Sequence, residues 1–318
     1  MSARDRTAAL VTLLALAVPA AAPGAPFAYV PNEGSATISV IDTATDLVVD
    51  TLRIGSKPRG IAISRDGERL FVSDQAAKSL LVVDIAVPSS VVTIPLGDSP
   101  EAIYLSPDGH WLSAAIEEDD VVLLIDAGTL AIARRMKMSA SNPEHAVFSP
   151  DGRWLYASAE NAHSIDIFDV ARGELAGSVR VGERPRGIGF LPDGSRAYVA
   201  AENADLVNVV DTRTREVIAR IKAGKRVNGV AVHPDGRHVY VSAGGDGTVQ
   251  VIDTATNEIT AAIPVGKRPW NMALTPDGAK LYVACGRSNS VAVIDTATAR
   301  KIADIVVGEL PWGVAIAR

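Results

Sequence analysis

Seven side chains recur at intervals of 42 or 43 residues: Arg59, Glu101, Glu144, Arg186, Asn228, Trp270 and Trp312. Each follows a proline, except that Val227 precedes Asn228. A guanidinium can grip a carboxylate in a two-pronged fork, and an indole offers a flat apolar face. Carboxylates suit a hard cation such as calcium. The order is not random. Two glutamates adjoin with an arginine on either side, and two tryptophans adjoin. Two readings stand: neighbouring ion pairs with tryptophans sealing a channel, or a pocket for a planar, anionic small molecule. Exposed ion pairs add only ~0–1 kcal/mol each, so stability alone is a poor reason for them.

The residues just before these positions add a basic set, Arg184, Arg226 and Arg268 with Lys57, Lys225 and Lys267, suited to an anion or an acidic partner. Glu33, Glu117, Glu160 and Glu202 share another repeat position, from which they can pair with that set. Glu144, His145 and His163 are candidate metal ligands. Cys285 is the one cysteine, which rules out an internal disulfide. It reads either as a reactive thiol or as a small packed side chain. No haem-attachment Cys-x-x-Cys-His, phosphate-binding glycine loop or serine nucleophile motif is present, so no catalytic residue is assigned. A hydrolytic reading would rest on Glu101, Glu144 and His145. A third reading is a noncovalent redox cofactor held on the tryptophan face.

What positions these residues is a repeat. Asp42, Asp84, Asp126, Asp169, Asp211, Asp253 and Asp295 keep the same interval. An aromatic residue thirteen places earlier keeps step at Tyr29, Phe71, Tyr156, Tyr198, Tyr240 and Tyr282. Only Ser113 breaks the series, with Trp111 nearby to fill the space. Each unit resolves into four short alternating strands, exemplified by "GIAIS" (60–64), "LFVSD" (70–74), "LLVVD" (80–84) and "SVVTIPL" (90–96). Asp-Gly and "DTAT" turns bound them. Seven four-stranded units of this length predict an all-β, seven-bladed β-propeller over residues 27–318. The first strand of the unit is missing before "FAYVPN" (27–32), and a lone first strand stands in "WGVAIA" (312–317). The two fragments complete one blade, which closes the ring. The connections from fourth to first and from second to third strands should share one face, with the seven variable residues around the channel mouth.

The net charge is −6 with a pI near 5.4, and no basic run exists, which argues against nucleic acid as a partner. Arg4 and Arg6, the apolar run 7–18 and the small residues of 19–25 read as a signal peptide cleaved near residue 20. Residues 21–26 form a short leader. The expectation is a periplasmic or secreted protein with no membrane span in its mature form.

The units resemble the YVTN family of β-propeller repeats through "YVPN…TISVIDTAT" (29–45), "YVSAGGDGTVQVIDTAT" (240–256) and "YVACGRSNSVAVIDTAT" (282–298). "RPWNMALTPDG" (268–278) and the final "PWGVAIA" (311–317) are also similar to a periplasmic group, the PQQ-dependent catabolism-associated β-propeller proteins. The leading expectation is a non-enzymatic module that binds a small anion or a protein partner, and the resemblance implies an association with quinoprotein alcohol oxidation. It also implies pyrroloquinoline quinone (PQQ) as the planar anion, and a quinoprotein dehydrogenase or transport component as the protein partner.

Overall fold

The computed structural model describes residues 26–317; the expected leader at 1–20 and residues 21–25 lie outside them. Seven separate four-stranded antiparallel sheets follow one another around a ring. Blade 1 comprises strands Pro58–Ile63, Arg69–Asp74, Ser79–Asp84 and Val91–Pro95. Blades 2 to 6 repeat that order, with first strands at Pro100–Leu105, Pro143–Phe148, Pro185–Phe190, Val227–Val232 and Pro269–Leu274. Blade 7 joins Phe27–Asn32, Thr37–Asp42 and Leu47–Arg53 to the short strand Ala315–Ile316. Among the described residues, helix is limited to two single 3-10 turns, Glu160–Ala162 and Gly286–Ser288. No helix among the described residues is long and apolar enough to cross a membrane.

Closure occurs as the repeat demands. Ala315 pairs with Tyr29 and Ile316 with Ala28, and Pro311 bridges to Asn32. The hydrogen bonds Trp312 N to Pro31 O (3.0 Å) and Ala317 N to Phe27 O (3.2 Å) complete the seam. The regular part of this strand is shorter than the 312–317 expected, because Trp312 and Gly313 lie in an irregularity.

That irregularity recurs in every blade. In blade 1, Pro58 opposes Asp74 and Ile61 opposes Val72, so the first strand carries one extra residue. The same shift falls after Pro100, Pro143, Pro185, Val227 and Pro269. A bulge releases a residue from the ladder and re-aims its side chain. The two residues after the proline fall between the paired positions, and the first of them is the variable residue, which in six of the seven blades lines the channel mouth. The next position must be small where first strands crowd the axis. A Cβ on Gly187 would lie 2.5 Å from Asn228 O, and one on Gly229 would lie 2.4 Å from Trp270 O.

The core lies between blades rather than within one sheet. Phe71 of blade 1 packs with Leu112, Ala114 and Leu123 of blade 2. Tyr198 of blade 4 packs with Val239, Val241 and Ile252 of blade 5. Between blades 2 and 3, where Ser113 replaces the aromatic, Trp111 and Tyr104 pack in partial burial against the cluster of Phe148, Leu155 and Phe168. Ser113 itself turns inward and donates to Ala146 O at 2.6 Å. On the face away from the channel mouth, the Asp-Gly turns place Gly67, Gly109, Gly152, Gly194, Gly236 and Gly278 at φ between 70° and 78°, a conformation glycine adopts without strain. The neighbouring "DTAT" turns are held by their aspartates, as where Asp253 Oδ1 accepts from Ala255 N and Thr256 N, both at 2.9 Å.

Candidate functional site

Six of the seven bulged residues line one cavity of about 290 Å³ at the channel mouth: Arg59, Glu144, Arg186, Asn228, Trp270 and Trp312. Lys57, Gln75, Glu117, His145, Arg184, Arg268 and Asn271 complete its wall. Glu101 departs from the ring. It is fully buried beneath it, because Arg59 reaches over and binds its Oε1. Gln75 Nε2 (2.8 Å) and Ser99 Oγ (3.2 Å) donate to the same oxygen.

The arginines are not idle. Arg59 Nε lies 3.0 Å from Glu33 and Lys57 lies 3.2 Å from it. Arg186 contacts Glu144, lies 2.8 Å from Glu160 and donates through Nε to Glu202 at 3.0 Å. Glu202, with no exposed surface, also gathers Arg268 (2.7 Å), Arg226 (3.4 Å) and Arg184 (3.5 Å). Glu33, Glu160 and Glu202 therefore do pair with basic side chains, whereas Glu117 meets only Ser99 and Asn142. Glu202 is the hub, a role that sequence position alone did not distinguish from the other three.

Charge is distributed unevenly around the mouth. Blades 2 and 3 contribute Glu101, Glu117, Glu144 and Glu160, flanked by Arg59 and Arg186. On the other side Arg226 and Arg268 converge on Glu202, and Arg184 is shared between Glu202 (3.5 Å) and Glu160 (3.1 Å). Burial raises the carboxyl of Glu101 well above its ordinary value, and the neighbouring charge of Glu144 adds to the rise. Burial and Glu144 likewise raise Glu160. Glu144 is equally buried, yet Arg186 beside it holds it below the usual carboxylate range. Arg186, though buried, is held charged by Glu144, Glu160 and Glu202.

The proposed metal grouping of Glu144 with His145 and His163 is corrected. The described residues whose potential ligand atoms come within 4.8 Å of one another are Glu117, Glu144 and Glu160. His145 turns away to a hydrogen bond between its Nδ1 and Tyr104 Oη (2.6 Å). Its ring lies nearly parallel to Trp312, 6.0 Å between centres. Burial pushes it down to about 4, so it is neutral. His163 caps the 3-10 turn in a left-handed conformation. Trp270 lies against Gly286, where a Cβ would come within 2.6 Å of its ring.

Cys285 is fully buried, and burial pushes its thiol up to about 11. Its sulfur accepts from Gly266 N at 3.2 Å. The packed reading of this residue thus prevails. The native protein should resist alkylation by iodoacetamide at neutral pH and react fully once unfolded. Labelling of the native protein at the rate of a free thiol would contradict this.

A family model described as a YNCE-like β-propeller matches residues 24–104 and 92–235, and one described as lactonase, 7-bladed β-propeller, matches 175–306. No curated protein matches the chain. Among solved structures, Kuenenia stuttgartiensis hydrazine synthase is similar at 24% identity and a TM-score of 0.78, covering 90% of this chain and 99% of that one. A functionally unknown protein from Desulfotomaculum acetoxidans DSM 771 gives 18% and 0.81, covering 92% and 99%. The dihydro-heme d1 dehydrogenase NirN in complex with DHE gives 15% and 0.69, covering 93% and 76%. At these identities the likeness is one of fold.

Proposed function

The chain belongs to the YNCE-like β-propeller family, and from that premise we propose that it is a binding module whose channel mouth takes a small carboxylated molecule with a flat face. Fold leaves the activity open, because propellers carry unrelated chemistries on one scaffold. The reading is carried by one observation: within a ring of near-identical blades, the bulged positions differ, and six of the seven converge on a single cavity. Its volume suits a small ligand, near the lower end of the usual range of ~300–1,000 Å³.

The internal pairing of the arginines refines the ligand. A guanidinium carries five N–H donors, and Arg184, Arg226 and Arg268 each approach Glu202 or Glu160 through only one or two nitrogens. Donors remain for a ligand carboxylate on that side. Trp270 and Trp312 supply the flat contact, and Asn228 and Asn271 supply neutral hydrogen-bonding groups. PQQ, which the sequence resemblance singles out, has this chemistry and is the first molecule to test, together with a periplasmic role beside a quinoprotein dehydrogenase.

Calorimetric titration of wild type, Trp270→Ala and Asn228→Ala with PQQ and with simple aromatic dicarboxylates tests the reading. Loss of the Trp270 ring should weaken binding roughly tenfold or more, given ~1.5–3 kcal/mol for a buried large apolar side chain. If wild type takes up none of these, or if both variants bind as tightly as wild type, the ring is structural. A hydrolytic reading has the lactonase match in its favour. Its candidate groups are engaged elsewhere, however: Glu101 lies under Arg59, Glu144 contacts Arg186, and His145 is tied to Tyr104. Turnover of simple lactones by the wild-type protein would reverse the order of the two readings.

A further inference from the structure

We infer that Glu117, Glu144 and Glu160 form a site for a calcium-like divalent cation, and that occupying it frees Arg186 to meet the ligand. The second half rests on the binding function proposed above; the first does not. The potential ligand oxygens of the three residues all lie within 4.8 Å of one another. Two oxygens at that limit are spanned by calcium–oxygen bonds of about 2.4 Å; three at the full separation lie about 2.8 Å from a common centre, so a small inward shift of the side chains lets one ion reach all three. They come from two adjacent blades. Glu117 and Glu160 follow the second strands of blades 2 and 3, and Glu144 sits on the bulge of blade 3.

Carboxylates crowd together on many surfaces without a metal, so proximity is insufficient. Two buried oxygens in this sector point further. Glu160 Oε1 has no hydrogen-bond partner among the described residues, since the Arg186 nitrogen 2.8 Å away is outside bonding geometry. Glu101 Oε2, on a side chain with no exposed surface, has none either. Ser99 Oγ links that carboxyl to the group, lying 3.2 Å from Glu101 Oε1 and 2.9 Å from Glu117 Oε2. A buried acceptor left unmatched is costly, and a hard cation matches oxygen acceptors without supplying a donor in a fixed direction. Glu117 has no cationic partner: its oxygens are met only by Ser99 Oγ (2.9 Å) and, at 3.4 Å, by Asn142 Nδ2.

Arg186 now stands where the ion would draw charge away. Its Nη1 contacts Glu144 and lies 2.8 Å from Glu160 without bonding it, while its Nε is anchored to Glu202 at 3.0 Å. An ion bound by Glu144 and Glu160 competes with Nη1 but leaves the Glu202 anchor intact. Arg186 then presents Nη1 and Nη2 to the cavity instead of to its own carboxylates. A mouth whose arginines are internally paired becomes, on binding the ion, one that can grip a carboxylate.

The first measurement is calcium alone, by equilibrium dialysis and by terbium luminescence sensitised through the protein's tryptophans. Wild type should take up one ion per chain, and Glu117→Gln should weaken uptake at least tenfold. Glu117 is part-exposed and lacks a cationic partner, so this variant is the one least prone to misfold. Asp119→Asn, in the same connection but outside the cluster, should bind as wild type does. No saturable uptake, or equal uptake by Glu117→Gln, overturns the ion site. The second measurement repeats a PQQ titration in calcium and in a chelator. Affinity at least tenfold higher in calcium supports the coupling. Equal affinity in both overturns the coupling while leaving the ligand pocket intact. Calcium uptake with no PQQ binding in either condition keeps the ion site and removes the ligand reading on which the coupling rests.

Discussion

Deleting the chain beyond Leu310 should abolish a stable monomer. The deletion removes Pro311, Trp312, Val314 and Ile316 and the two seam hydrogen bonds, leaving Phe27–Asn32 with a bare edge. Val314 packs with Ala28, Val30 and Tyr282 in the core between blades 6 and 7, and Ile316 packs beside them. Each such side chain contributes roughly 1.5–3 kcal/mol. Two or three of them, with the lost pairing, rival the total stability of about 5–15 kcal/mol for a native domain. An exposed, apolar strand edge also recruits other chains. Size-exclusion chromatography and a thermal melt should therefore show aggregates or a large drop in Tm. A truncated protein that elutes as a monomer and melts like the full chain would refute closure by this strand.

Replacing Glu202 with glutamine should cost about 3–5 kcal/mol, the range for breaking a buried ion pair on one side only. The magnitude comes mainly from Arg186 and Arg268, which are nearly or largely buried and approach Glu202 at 3.0 and 2.7 Å. Arg226 is half exposed, so its 3.4 Å contact adds at most ~1 kcal/mol. Glutamine keeps the shape and one acceptor but not the charge, so cationic repulsion at the hub is what the variant exposes. Tm should fall by about 5 °C or more for a chain of this size. A melt within about 1 °C of wild type would show that solvent and the other carboxylates neutralise these arginines without Glu202. A companion variant, Glu33→Gln, removes a carboxylate whose partners Lys57 and Arg59 are more exposed, and should cost less.

The blade count, the order of strands and the seam were legible because they depend on spacing. An aspartate and an aromatic residue in fixed step dictate four strands per unit, and unmatched half-units dictate closure. The bulge was not legible, since no residue type marks it; it appears only as a register shift against the neighbouring strand. The mouth residues were legible as positions but not as partners. Arg59 and Glu101, 42 residues apart in the chain, were paired correctly in one of the two readings. Glu202 was placed opposite a basic set, but nothing marked it as the hub over three equivalent glutamates, because its four arginines come from its own blade and the next two and meet only in the folded structure. His145 stood open between a metal ligand and a structural role for a related reason. Its substitution for a small residue beside Glu144 suggested metal binding, whereas the ring turns toward Tyr104 of the preceding blade.

The bulge also bears on how such a molecule changes over generations. In six blades the ladder pairs the residue before the variable position and the one two places after it, so the backbone pairing does not depend on what that position carries. Arginine, glutamate, asparagine and tryptophan all occupy it in one chain with the register unchanged. Duplication of a blade followed by substitution at one codon therefore yields a new wall for the cavity without a new scaffold. Asn228, Trp270 and Trp312, which line the cavity outside the ion pairs of the mouth, amount to three separately addressable slots. A library randomised at Asn228, Trp270 and Trp312 alone would sample ligand preference while leaving the buried charge network of the other positions in place.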